Sequence, residues 1–275
     1  MICMDYSDEK NLYETARSNA LDLLQATSDY LEKPFEKLTW QDVEKFELTF
    51  EDMELIKYPF SDKTSQVLSG FVKKERVHRM DCYIIGINES IKSKGRQHFT
   101  ECHEFYHYNF QFRRGLASQF SDLINKDSYS SDELPIEMEA NFGAAQLMLS
   151  SEALREAMSK QMTASDLMDF FGISRAAIWT IIRDELYYDC AFPYSRSCIL
   201  ASSYCNGEPE RSSFVNVLIS HMGLFKDLLY TADESGVPVG REDINNIYSY
   251  LGIELTNSHY YQFNNLLHDL YKPVF

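Results

Sequence analysis

His103, Glu104 and His107 stand in the order His-Glu-x-x-His. On an α-helix, residues i and i+4 lie about 40° apart around the axis and one turn apart along it. Two imidazoles so placed reach one metal ion at about 2.0–2.1 Å. The glutamate between them projects to one side, where it can serve the attacking water without being a ligand. Five residues alone arise by chance, so the surroundings must decide whether the pattern means chemistry.

The surroundings fit. Asp81–Asn88 is rich in aromatic and β-branched residues and reads as a strand. Ser93 and Gly95 suit a turn. A helix then carries the two histidines, and carboxylates that could supply a third ligand follow about thirty residues later, before and within a helical run opened by Pro135. In that run Glu137 and Asn141 share a face, and Ala140, Gly143, Ala144 and Ala145 allow another helix close approach. Three protein ligands would leave the fourth zinc position for water, as catalytic sites do.

With 275 residues the chain can bury a sizeable core, and 44% hydrophobic with 14% aromatic content marks a folded protein. Its formal charge of −16 argues against binding a phosphate backbone. The densest basic run, Lys73–Arg79, is short and reads as a hairpin or strand end. The first ten residues do not have the form of a signal peptide, and no stretch approaches a membrane span. Six scattered cysteines read as free thiols of a reducing compartment. Cys190, Cys198 and Cys205 are spaced too widely for a zinc knuckle.

Around these residues the periodicity predicts an amphipathic helix over about Glu9–Leu31, stopped by Pro34, and a short helix starting near Thr39. Phe46–Phe50 alternates and predicts a strand; Leu55–Phe60, Val67–Val72 and Cys82–Asn88 supply others, giving a small sheet of about three strands. The stretch 112–135 reads as loop. A helix follows from Ser150 to about Lys160. Thr163–Arg183 has helix-turn-helix rhythm, with Gly172 at the turn and Ser174 as a cap, but its second helix offers Arg175 and Arg183 among Ala, Ile and Trp. Packing suits it better than reading bases. Three further helices are expected over Phe214–Tyr230, Asp243–Gly252 and Tyr260–Tyr271. The expected fold is α+β: a small three-stranded sheet with zincin-type helices over residues 1–160, a helix-turn-helix-like segment over 161–190 and a helical domain over 191–275.

Arg96-Gln97-x-Phe99-Thr100, the His103–His107 pattern and the later Glu137-x-x-x-Asn141 helix together resemble the ImmA/IrrE family of zinc metallopeptidases. The resemblance covers roughly residues 10–185. It implies Zn²⁺ held by His103, His107 and Glu137, with Glu104 as general base. Glu133 and Glu139 remain alternatives for the carboxylate ligand. It further implies a site-specific endopeptidase of bacterial, phage or mobile-element origin, acting in the cytoplasm on a helix-turn-helix repressor. Two positions depart from the family pattern: Tyr106 precedes the second histidine, and Ser150 stands where the second helix usually meets a proline. Tyr106, Tyr108 and His98 are candidates to stabilise an oxyanion, and Asn141 to support a ligand. The rival reading is a zinc-bearing regulator that binds a protein partner without cutting it.

Overall fold

The computed structural model describes residues 4–50, 53–61, 64, 68–77, 80–112, 119–123, 129–190, 192–223, 240–250, 254–257, 259–261 and 263. The chain divides into two compact units, Met1–Ala153 with Asp169–Ala177, and Leu154–Met168 with Ile178–Phe275.

The first unit starts with α1 (Tyr6–Leu31), capped by the Asp5 carboxylate on the Asp8 N–H and ended by a left-handed Glu32 ahead of Pro34. Its buried stripe, Tyr13, Ala16, Ala20, Leu23, Leu24 and Thr27, keeps the three-and-four spacing of an amphipathic helix. Next come α2 (Trp40–Phe50), β1 (Met53–Tyr58), β2 (Leu68–Val77), β3 (Met80–Asn88) and α3 (Lys94–Tyr106). After a π-helical turn, His107–Phe112, lie β4 (Gln119–Leu123) and α4 (Glu133–Met148); α5 (Ser151–Ser159) starts in this unit and continues in the second. The sheet has four strands in the order β1-β3-β2-β4; β1 runs parallel to β3, and the other pairs are antiparallel.

Two expectations are corrected here. Phe46–Phe50 is the end of helix α2, not a strand. Its alternation is real but short, whereas Trp40, Val43 and Glu47 keep helical spacing over a longer window and are the residues buried. Phe46 and Phe50, one turn apart, both lie against the Tyr30 ring, with centroids at 5.9 and 4.6 Å. The second correction is β4, which makes the sheet four-stranded. It falls inside the stretch read as loop, because Gln119-Phe120-Ser121-Asp122-Leu123 lacks a β-branched residue and an edge strand is held by backbone pairing. The rest of that stretch, 113–118 and 124–128, lies outside the described residues.

Other expectations match. The strands at Leu55–Phe60 and Val67–Val72 are β1, which ends before Pro59, and β2, which is longer than expected. The basic run from Lys73 is the end of β2, where Arg76 and Val77 pair with Asp81 and Met80. Ser150 caps α5, its hydroxyl accepting from the Ala153 N–H at 3.1 Å, so the departure from proline starts the next helix.

The expected helix-turn-helix rhythm is present as α6 (Ala164–Phe171) and α7 (Arg175–Asp184). Gly172 has a φ of 66°, the left-handed conformation that favours glycine, and Ser174 accepts from the Ala177 N–H. In the second unit, α8 (Tyr194–Cys205) packs against α9 (Pro209–Ser220), and Arg155 holds the buried Glu185 at 2.7 Å. Helix α10 (Arg241–Tyr250) covers the described part of the second expected C-terminal helix. Most of the third, and the end of the first, lie outside the described residues.

Inside the first unit, α4 packs on both α1 and α3. The close approach to α3 depends on Gly143: a Cβ there would sit 2.0 Å from the Tyr106 ring. Overpacking of this kind costs about 1–3 kcal/mol. Gly143→Ala is expected to lower stability by that amount in urea melts, and Tyr106→Leu in the same chain to recover part of the loss. Equal and additive losses from the two substitutions would contradict this packing.

Candidate metal centre

The helix that carries the histidines is fixed at its start. Ser93 caps α3 through the Arg96 N–H, and Gln97 donates to the carbonyls of Ile91 at 2.6 Å and Glu89 at 3.4 Å. Just upstream, the buried Asn88 joins the end of β3 to β2, donating to the Leu68 carbonyl at 2.9 Å and accepting from the Ser90 and Phe60 N–H groups. The loop into α3 is therefore pinned from both sides. Along α3 every residue from Thr100 to Tyr106 is buried. At Gly70 of β2 a Cβ would meet Thr100 Cγ2 at 2.4 Å and Glu104 Oε1 at 3.0 Å, so glycine is what lets this helix lie so close to the sheet.

His103 Nε2 and His107 Nε2 face each other at 2.9 Å. Glu137, from α4, places Oε2 3.2 Å from His103 Nε2 and Oε1 3.5 Å from His107 Nε2. All three side chains are buried. A tetrahedral ion with bonds of about 2.0–2.1 Å spaces its ligand atoms about 3.3 Å apart, which the three separations bracket. Among the described residues these three form a group able to hold a metal ion. Cys190, Cys198 and Cys205 form no such group, and no disulfide joins the described cysteines.

The electrostatics suit the donor set. Burial pushes the Glu137 carboxyl up, but hydrogen bonds and charge from His103 and His107 outweigh it, and its pKa falls to about 2. His107 is lowered, by burial first and by His103 second, against the pull of Glu137. An ionised carboxylate and a neutral imidazole are the forms that bind metal.

The other sequence candidates are placed elsewhere. Glu139 Oε1 accepts from the Tyr106 hydroxyl at 2.6 Å, and that hydroxyl accepts from Asn19 Nδ2 of α1 at 2.8 Å. Glu133 is held at the start of α4, where it accepts from the Ser130 N–H. Asn141 donates to the Glu137 carbonyl at 2.7 Å, holding that residue's backbone and not its carboxylate. His98 stacks on Trp40 with centroids 4.0 Å apart, and Tyr108 meets the edge of Tyr83. Glu104 is fully buried beside Gly70. One residue that the sequence reading missed is Gln111, whose Oε1 lies 2.5 Å from His107 Nδ1 and whose Nε2 donates to the Ile136 carbonyl at 3.0 Å. Its four-residue spacing from His107 was the available signal.

Residues 48–179 match the family Peptidase_M78, described as the IrrE N-terminal-like domain. This segment is an ImmA/IrrE-family domain. The matched segment contains His103, Glu104, His107 and Glu137, and its family is one of metallopeptidases. No curated protein matches the chain. Among the described residues, no helix is long and apolar enough to cross a membrane.

Two residues before His103, the buried Glu101 takes an ion pair from Lys57 of β1 at 2.8 Å; Lys57 also reaches Glu44 of α2 at 2.9 Å. Burial dominates and, with Glu44 adding repulsion, raises the Glu101 carboxyl to about 7 despite Lys57. Lys57 itself is raised: burial lowers it, but its two carboxylates outweigh that. The desolvation falls on the glutamate because Lys57 keeps more contact with water. A carboxyl with a raised folded pKa contributes stability that is complete below its unfolded pKa and is lost as pH rises through about 7. Chelator-treated protein is therefore expected to lose up to about 3 kcal/mol between pH 5 and 8 through this group. Glu101→Gln should flatten that part of the profile in denaturant melts; an unchanged slope would contradict it.

Proposed function

We propose that this chain is a zinc-dependent, site-specific endopeptidase. His103, His107 and Glu137 hold the metal, and Glu104 is the general base. What carries this reading is the set of three buried donors, 2.9–3.5 Å apart, with a buried carboxylate one residue from the first of them. Zinc bound there supplies Lewis acidity, polarising the scissile carbonyl and making water a better nucleophile. Glu104 accepts the proton from the attacking water and delivers it to the leaving amine, so one carboxylate serves both halves of the hydrolysis.

The substrate we propose is a helix-turn-helix transcriptional repressor, whose cutting would derepress phage, mobile-element or stress genes. Its support is the family resemblance in the Arg96–Thr100 lead-in and the two ligand helices. The acidic chain suits docking of a basic, DNA-binding partner. The same charge argues against DNA as the direct target. We place the activity in the cytoplasm of a bacterium.

Glu104→Gln should retain zinc and lose cleavage, with a rate at least 10²-fold below wild type. His103→Ala should lose both. The assay co-incubates each protein with a helix-turn-helix protein encoded beside it and identifies fragments by mass spectrometry. Cleavage retained by Glu104→Gln rejects the general-base role. A wild type that holds zinc and binds the repressor without cutting it supports the rival reading of a non-cleaving regulator.

A further inference from the structure

We infer that Gln111 is a positioning residue that fixes the tautomer of His107 and ties the two metal-bearing helices together. The inference rests on the zinc reading given above and deepens it.

The Ile136 carbonyl can only accept, so the Gln111 atom 3.0 Å from it must be the amide nitrogen. That orientation leaves Gln111 Oε1 as the atom 2.5 Å from His107 Nδ1. An amide oxygen can only accept, so His107 Nδ1 carries the proton. A neutral imidazole has one proton, and Nε2 is left with its lone pair. This is the nitrogen that faces His103 Nε2 at 2.9 Å and Glu137 Oε1 at 3.5 Å. Turning the amide over would set two oxygens against each other at Ile136. It would also force the His107 proton onto Nε2, where it would block the lone pair.

The location strengthens the case. Gln111 is 1% exposed, so neither of its bonds is shared with bulk water. It lies in the π-helical turn that begins at His107, so ring and amide are carried by one continuous widened turn. Ile136 directly precedes Glu137. One side chain thus holds a histidine ligand from the α3 end and the backbone next to the carboxylate ligand in α4. His103 has no such support: its Nδ1 is buried and has no hydrogen-bond partner among the described residues. The His107 ring is therefore set in its ligand form before any metal arrives.

Two measurements test this. In zinc-free wild-type protein, two-bond ¹H–¹⁵N correlation spectra of the histidine rings report the tautomer directly, with no substitution needed. The expected result is the Nδ1–H form for His107; the Nε2–H form would overturn the inference. The second measurement is zinc affinity by chelator competition. Gln111→Leu is expected to weaken binding roughly ten- to a hundredfold. Gln111→Glu keeps the acceptor for His107 while losing the bond to Ile136, so it should recover part but not all of that loss, which a residue that only fills space would not do. An affinity for Gln111→Leu within twofold of wild type overturns the inference, as does a Gln111→Glu no better than Gln111→Leu. A wild type that binds no zinc, or binds it as well with His103→Ala, sinks the metal reading itself. A wild type that binds zinc while Gln111→Leu is unaffected sinks only the role of Gln111.

Discussion

Two imidazole nitrogens 2.9 Å apart in a buried site are the constraint on which the first unit depends. Nothing in ordinary core packing favours bringing two basic nitrogens and a carboxylate together away from water, since burying polar groups costs several kcal/mol unless each finds a partner. Here each of the three is the others' partner, and the set has the spacing of a metal's ligands. Helix α3 and the π-helical turn that continues it carry two of them, and every residue from Thr100 to Tyr106 is buried.

A helix so enclosed needs its neighbours to come close, and the chain achieves this by removing side chains. Gly70 brings the sheet up to Thr100 and Glu104, while Gly143 gives the Tyr106 ring a place against α4. The bulk of Tyr106, unusual beside the second histidine, is matched by that missing Cβ, and its hydroxyl is taken up by Asn19 and Glu139. The residue therefore joins α1, α3 and α4 and has no remaining part as an oxyanion donor. The departure from the family pattern reads as a packing solution.

What the sequence revealed follows from the range over which each signal acts. His103, Glu104 and His107 were legible because helical spacing alone fixes their geometry. Glu137 needed a fold to bring it in, so the sequence left Glu133 and Glu139 open; only their hydrogen bonds, to Ser130 and Tyr106, set them apart. The long helix α1 and strand β3 had enough residues for their periodicity to show. Phe46–Phe50 did not: five residues fit both periods, and the tertiary burial of Trp40, Val43 and Glu47 decided for helix. Strand β4 left no trace because backbone pairing, unlike a buried face, imposes no side-chain pattern. Gln111 was passed over for a similar reason, since its role depends on the Ile136 carbonyl of another helix.

The family match ends at residue 179, and α8 and α9 of the second unit lie beyond it. The site of the first unit is defined by the ion it is proposed to hold. X-ray absorption at the zinc edge of the purified protein tests it most directly. The expected spectrum is one zinc per chain, bound by two imidazole nitrogens and carboxylate oxygen at about 2.0–2.1 Å with no sulfur. A zinc coordinated by sulfur, or a spectrum unchanged when His103 and His107 are both replaced, would contradict it.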